Sequence, residues 1–287
     1  MIWGVQQFQL RQEFNNLRQA QTTLQAVRDA GFGGIELNDF MLHRMSFGVR
    51  MLCRLAGMPL GGGGKFDWPK LIEAAKLPVI ALHVDLNGLL KDPSGYLATA
   101  KKLQTHNLVI TGMRQFDYRD DAAVAQLASR LNQAGQLVQA QGFQLLYHNH
   151  NTEFQRLHDG RISYDALIEA TDPKLVGFEF DAFWAADAGV DVQAVMAHLG
   201  TRQHLMHLTD RVPSAKGRSG PILKSRSTEL GDGVMPLPAL IQQAKRNQVQ
   251  AIVLESTSHW CNNSGLLSMQ RSAAFIQHEQ LGGDGDE

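Results

Sequence analysis

The sequence predicts a (β/α)8 TIM barrel, on three observations. Eight short, nearly continuous apolar runs are spread along the 287 residues. They alternate with longer stretches of helical periodicity, which is the signature of a parallel sheet with helices between its strands. The glycine-rich turn that opens a doubly wound sheet is missing after the first run, where Gln6, Gln7 and Phe8 stand. The runs are residues 2–8, 34–38, 79–85, 108–113, 144–149, 176–181, 204–210 and 251–255. Val, Ile, Leu and Phe dominate them, as in strands buried on both faces.

The helical stretches obey the same logic. Leu17, Leu24, Val27 and Ala30 recur at helical steps, with Gly31 placed as a cap just past the end. Residues 120–141 carry Val124, Leu127, Leu131 and Leu137 in that manner and end at Gly142, while 191–199 and 236–246 read as shorter helices. Residues 46–65 fit less well: Arg50, Cys53 and Arg54 precede a glycine run over 61–64. Lys65 is followed by Phe66 rather than Ser or Thr, so the run is not a phosphate loop and reads as a flexible surface loop. Residues 211–229 mix Pro, Gly, Ser and basic side chains after the seventh strand, where a barrel would carry a lid. The ending LGGDGDE is too polar to pack. The expected organisation is one barrel domain over 1–278 and a disordered tail over 279–287.

Composition narrows the function. With 27 Lys and Arg against 28 Asp and Glu, the net charge is -1 and no basic cluster stands out. That argues against nucleic acid or an anionic membrane as the main partner. Cys53 and Cys261 make no disulfide framework, which points to a reducing compartment. No window approaches ~18 consecutive apolar residues, and the opening MIWGVQQFQLRQEF lacks the basic-then-apolar order of a signal peptide. The expectation is a cytoplasmic protein with no membrane partner.

In a barrel the C-terminal ends of the strands surround one cavity. Strand two carries Glu36, and strand three carries His83 and Asp85. Strand five ends in Tyr147, His148, Asn149 and His150, with Glu153 just beyond; strand six carries Glu179 and ends in Asp181. Strand seven carries His207 and Asp210, and strand eight ends in Glu255. Carboxylates crowded at one rim repel each other unless a cation is present. Carboxylate oxygens with imidazole make a mixed shell suited to Mn2+, Zn2+, Co2+ or Mg2+. Each residue alone could equally be a cap or a structural hydrogen bond; agreement among separate strands favours one divalent metal ion.

The motifs also resemble a family. Tyr147-His148-Asn149-His150 followed by Glu153-Phe154 is similar to the YHNHxxEF segment of the xylose-isomerase-like sugar isomerase and epimerase superfamily. Val176 to Asp181 with Trp184 and Ala188-Gly189-Val190-Asp191 resembles that family's sixth strand and the helix start after it. His207-Leu208-Thr209-Asp210 resembles its HxKD element. Gly231-Asp232-Gly233, Val253-Leu254-Glu255 and Gly31 to Leu37 resemble further segments, so the likeness covers nearly the whole chain.

The resemblance implies metal ligands Glu153, Asp181, His207 and Glu255. By register, a strand-five ligand seen in several relatives falls at His148, so His148 or His150 replaces or joins Glu153. The lysine of HxKD is Thr209 here; its role is absent or supplied elsewhere, with Lys224 the candidate. The implied activity is metal-dependent isomerisation or epimerisation of a sugar or sugar-derived ketose, by proton transfer next to a carbonyl, with Glu153 and Glu255 as acid and base. Loss of a β-hydroxyl at the same site would make a keto-inositol-type dehydratase. Glu36, His83, His148 and His150 are candidates to bind sugar hydroxyls, and Trp184 to form an apolar wall, against ordinary packing roles. Asp210 is the candidate to orient His207. Arg114 reads as a solvated loop residue rather than a reader of an anionic group. A homo-oligomer, dimer or tetramer, is the family habit. The competitor from another class is an endonuclease IV-like metal phosphodiesterase, which the balanced charge disfavours; a non-catalytic sugar-binding barrel is the third reading.

Overall fold

The computed structural model describes residues 1–43, 46–55, 60, 66–113, 115–212 and 226–282. Its strands are β1 (Ile2–Gln6), β2 (Gly34–Asn38), β3 (Val79–Val84), β4 (Asn107–Thr111), β5 (Gln144–His148), β6 (Val176–Asp181), β7 (Gln203–Leu208), the short β8 (Asp210–Arg211) and β9 (Ser227–Thr228), and β10 (Ala251–Leu254). Eight of them close into one barrel in the order β1-β10-β7-β6-β5-β4-β3-β2, while β8 and β9 form a separate antiparallel pair. The barrel expected from the apolar runs is therefore the fold, and no strand boundary differs by more than two residues from its run.

Among the described residues, the helices are α1 (Leu17–Asp29), α2 (Asp39–Leu42), α3 (Phe47–Leu55), α4 (Trp68–Ala75), α5 (Leu86–Lys91), α6 (Ser94–Lys102), α7 (Asp121–Gln139), α8 (Ser163–Ala170), α9 (Ala182–Ala188), α10 (Val192–Leu199), α11 (Leu237–Arg246) and α12 (Gly265–Gly282). The chain packs as two compact units, one of residues 81–207 and 242–252 with Met1, the other of 2–80, 208–241 and 253–287.

In the first unit, β3 to β7 run parallel, with a register shift between Phe178 and Glu179 where β6 pairs with β7. Thr111 lies opposite His148, His148 opposite Glu179, and Asp181 opposite His207. Strand β6, VGFEFD, shows how sequence becomes a site. Side chains alternate between the two faces of a strand. Phe178 and Phe180 meet Tyr164 of α8, with ring centroids 5.7 and 6.3 Å apart. Glu179 and Asp181 therefore share the opposite face, inside the barrel. Helix α7 starts where the Asp120 carboxylate accepts from the Ala122 and Ala123 N–H groups. The chain then leaves the helix through Gly142 at φ +80°, a left-handed conformation that glycine adopts without strain.

In the second unit, Asn16 caps α1 by accepting from the Gln19 N–H at 2.9 Å. Arg28 from that helix donates to the Ala75 carbonyl at 3.1 Å, and Phe14 packs edge-on against Trp68 at 5.1 Å. Two expectations change here. The stretch read as a surface loop contains α3, whose Phe47, Met51 and Leu55 repeat at helical spacing and are exposed. The glycine run 61–64 and Lys65 lie outside the described residues. Helix α12 continues through Gly282, so residues 279–282 of the expected tail are helical; 283–287 lie outside the described residues. So do 213–225 of the expected lid, with Lys224, and Arg114.

Candidate metal centre

The centre is built from the inward face of β6 and its neighbours. Glu179 is fully buried. Its Oε2 lies 3.1 Å from His83 Nε2 on β3, 3.1 Å from His148 Nδ1 on β5 and 3.3 Å from His207 Nε2 on β7. Burial alone would push this carboxyl up, but the His207 and His83 rings outweigh it and hold the group well below the usual carboxylate range. For His148, burial dominates and pushes the ring down, against the pull of Glu179. A neutral ring keeps a lone pair available for a metal.

Two residues further along the same face stands Asp181. Its Oδ1 accepts from the Trp184 N–H at 2.9 Å and caps α9. Its Oδ2 faces His148 Nε2 at 4.0 Å and His207 Nδ1 at 3.9 Å. Each of these rings thus turns one nitrogen to Glu179 and the other towards Asp181. Asn149 ties the strand ends together: its amide donates to the Asp181 carbonyl at 3.1 Å, and its Oδ1 accepts from the Asp181 N–H at 3.0 Å. His83 is held from its other side, with Nδ1 2.9 Å from the Thr111 hydroxyl.

One ligand atom each from His148, Asp181 and His207 lies within 4.8 Å of the others. Two bonds of ~2.0–2.2 Å to one divalent ion span up to ~4.4 Å, so the Asp181 separations of 3.9 and 4.0 Å suit a shared cation. Two imidazoles and a carboxylate form the mixed donor set of Zn2+, Mn2+ or Co2+. The residues present fit such an ion.

A family model described as xylose isomerase-like TIM barrel matches residues 94–278. The chain belongs to this family. Among solved structures, a sugar phosphate isomerase/epimerase from Parabacteroides distasonis is similar at TM-score 0.76 and 20% identity, over 96% of this chain and 93% of that one. The IolI protein, solved with a zinc atom, is similar at TM-score 0.69 and 12% identity, over 97% of this chain and 98% of that one. Both likenesses concern the fold. An 85-residue stretch is 34% identical to inosose dehydratase of Mesomycoplasma hyopneumoniae, covering 29% of this chain and 27% of that protein.

Against the ligands that the xylose isomerase-like resemblance implies, the largest departure is at Glu153. This buried carboxylate sits in the 3-10 turn Thr152–Phe154. Its Oε1 accepts from the Tyr147 hydroxyl at 3.0 Å and its Oε2 from the Thr152 hydroxyl at 2.9 Å. The Tyr147 and Tyr118 hydroxyls are 2.8 Å apart, and Tyr118 accepts from the Met113 N–H at 2.8 Å. Burial and then the Glu153 charge push both phenols up, so they stay protonated. Among the described residues, Glu153 is not grouped with these converging ligand atoms, whereas His148, at the end of β5, is. Glu153 lies beyond the strand, in a turn that brings its carboxylate to the Tyr147 hydroxyl.

The other candidates take different places. His150 is half-buried, with its ring 5.3 Å from that of His148 and 5.7 Å from that of the buried Trp184. In the second unit, Glu36 is buried and accepts from the Gln6 amide at 2.8 Å. Asp210, expected beside His207, accepts instead from the N–H groups of Arg211, Gly231, Gly233 and Met235 at 2.8–3.1 Å. A carboxylate so enclosed by backbone donors organises its own loop, and the carboxylate that meets His207 Nε2 is Glu179. Glu255 is half-buried directly after β10.

Near Glu255 is a residue that sequence reasoning missed. Burial lowers the pKa of Arg11 to about 10 against the opposing charge of Glu255, so its guanidinium stays charged at neutral pH. It lies 4.5 Å over the rings of both Phe8 and Trp260, and donates to the Thr257 carbonyl at 3.0 Å. Thr257 and Trp260 are more than two hundred residues away in sequence, and no local signal marks the site.

Proposed function

We propose that the chain is a metal-dependent isomerase or epimerase of a sugar or sugar-derived ketose, working by proton transfer next to a carbonyl. The convergence of His148, Asp181 and His207 ligand atoms carries this reading. Glu255, directly after β10, is assigned as the fourth ligand because the family resemblance implies a ligand there. A divalent ion there supplies a Lewis acid that polarises the substrate carbonyl and favours loss of the adjacent C–H proton. Carboxylates of this chain move that proton. Glu153, which accepts from the Tyr147 and Thr152 hydroxyls, and Glu255, beside the Arg11 charge, are assigned as the acid–base pair. The flanking His150 and Trp184 line a wall for the sugar, and the substrate is a small molecule rather than nucleic acid.

A second reading, dehydration of a keto-polyol, is favoured by the segment shared with inosose dehydratase. It needs the same proton removal and then expulsion of the β-hydroxyl as water.

The test is a panel of ketoses and keto-inositols in D2O, with Zn2+, Mn2+, Co2+ or Mg2+, monitored by NMR. Exchange of one carbon-bound proton supports the proposal, and loss of water from the product selects the dehydratase. Asp181→Asn, which removes a charged ligand, is expected to lower metal affinity by more than the ~10–100-fold typical for loss of a partner behind a ligand. Failure of the wild type to bind any of the four ions, or to exchange a proton on any substrate, overturns the reading.

A further inference from the structure

We propose that Glu179 is a positioning residue that sets the tautomers of two imidazoles at once, leaving His148 Nε2 and His207 Nδ1 as the nitrogens that bind the metal. The inference rests on the metal-dependent reading above. A neutral imidazole carries one N–H and one lone pair, and only the lone pair can hold a metal. Which nitrogen carries the proton is set by what the other side of the ring meets.

Here the two rings meet the same carboxylate oxygen with different nitrogens. His148 turns Nδ1 to Glu179 Oε2 at 3.1 Å, and His207 turns Nε2 to it at 3.3 Å. Their opposite nitrogens face Asp181 Oδ2 at 4.0 and 3.9 Å, too far for a hydrogen bond. The contacts to Glu179 Oε2 are not aligned as hydrogen bonds, so the selection works chiefly through charge. A buried carboxylate attracts the N–H edge of each ring and repels the lone-pair edge, and the low dielectric strengthens both effects. The tautomers are therefore opposite: the proton is on Nδ1 of His148 and on Nε2 of His207. His83 brings Nε2 to the same oxygen at 3.1 Å and is braced by Thr111 at 2.9 Å. This third ring adds to the attraction that keeps the carboxylate in place, although His83 is not among the residues grouped with Asp181.

The experiment uses the full chain, stripped of metal with chelator at pH 8, and has two readouts. Two-bond 1H–15N correlation spectra of the metal-free wild type report the tautomers; the expected pattern is protonated Nδ1 at His148 and protonated Nε2 at His207. Zinc affinity, measured by competition with a chromophoric chelator, is expected to fall ~10–100-fold in Glu179→Gln, with the tautomers becoming mixed. Either reversed tautomers in the wild type, or equal zinc affinity and unchanged tautomers in Glu179→Gln, overturns the role of Glu179 and leaves the metal site standing. Two tightly bound zinc ions per wild-type chain also overturn it, because a metal rather than protons would then lie at Glu179. A wild type that binds no zinc or other divalent ion instead defeats the underlying metal reading. Should Glu179→Gln fail to fold, the wild-type tautomers decide alone.

Discussion

His148 and His204 lie on neighbouring parts of one barrel, and burial pushes both rings down. For His204, desolvation acts first and the Arg202 charge adds to it. A folded pKa below the unfolded value means that the native chain binds fewer protons in that range. The resulting stability is present above the unfolded value of about 6.5 and is lost as pH falls through the folded value. We expect stability to decline on acidification below about pH 6.5, and His204→Gln to flatten that decline, as read from urea midpoints at stepped pH. At this scale Asp181, His207 and His148 were legible, because ionisable residues at the ends of apolar runs are conspicuous. Glu179 could be read as a member of the strand, but its central place could not. That place depends on His83 and His207, which lie far from it in sequence, meeting one of its oxygens. Glu153 was legible as part of a motif and misleading in its implied ligand role, since the turn at 152–154 aims it at Tyr147.

Elements were read best where periodicity and a terminator agree. Helix α7 shows both: apolar residues at helical steps, Asp120 at the start and Gly142 after the end. It also holds a glycine that periodicity does not explain. Gly135 is buried mid-helix, where glycine costs ~0.5–1 kcal/mol relative to alanine. A Cβ there would sit 2.5 Å from the Leu175 carbonyl oxygen and 3.0 Å from the carbonyl carbon. These are backbone atoms that cannot swing aside, and overpacking of this kind costs ~1–3 kcal/mol. The clash outweighs the propensity gain, so Gly135→Ala is expected to destabilise the protein by roughly 1–2 kcal/mol, measured by chemical denaturation; a stabilised variant would contradict this. Helix α3 was missed for the converse reason. The glycine run beyond it drew the whole segment towards a loop, although Phe47, Met51 and Leu55 already stood at helical spacing.

For the whole molecule, a cation bound only by the folded chain stabilises it by mass action. At free metal about 100 times Kd the gain is ~2.7 kcal/mol, or roughly 4–5 °C in Tm for a chain of this size. Chelation is expected to lower Tm by that amount in the wild type and by much less in Asp181→Asn, which calorimetry checks. The barrel itself was determined by the sequence. Apolar runs buried on both faces can be satisfied only by a parallel sheet under helices, and eight of them close it. The residue types at the strand ends likewise determined that the rim is rich in carboxylate and imidazole. Tertiary structure alone decided which of those groups converge, which nitrogen each ring turns to Glu179, and that Asp210 accepts from its own loop while Glu179 meets the histidines. A strand's pattern specifies which face a side chain takes. Distances of 3–4 Å between side chains on different strands depend on register and closure, and no local stretch of sequence encodes them.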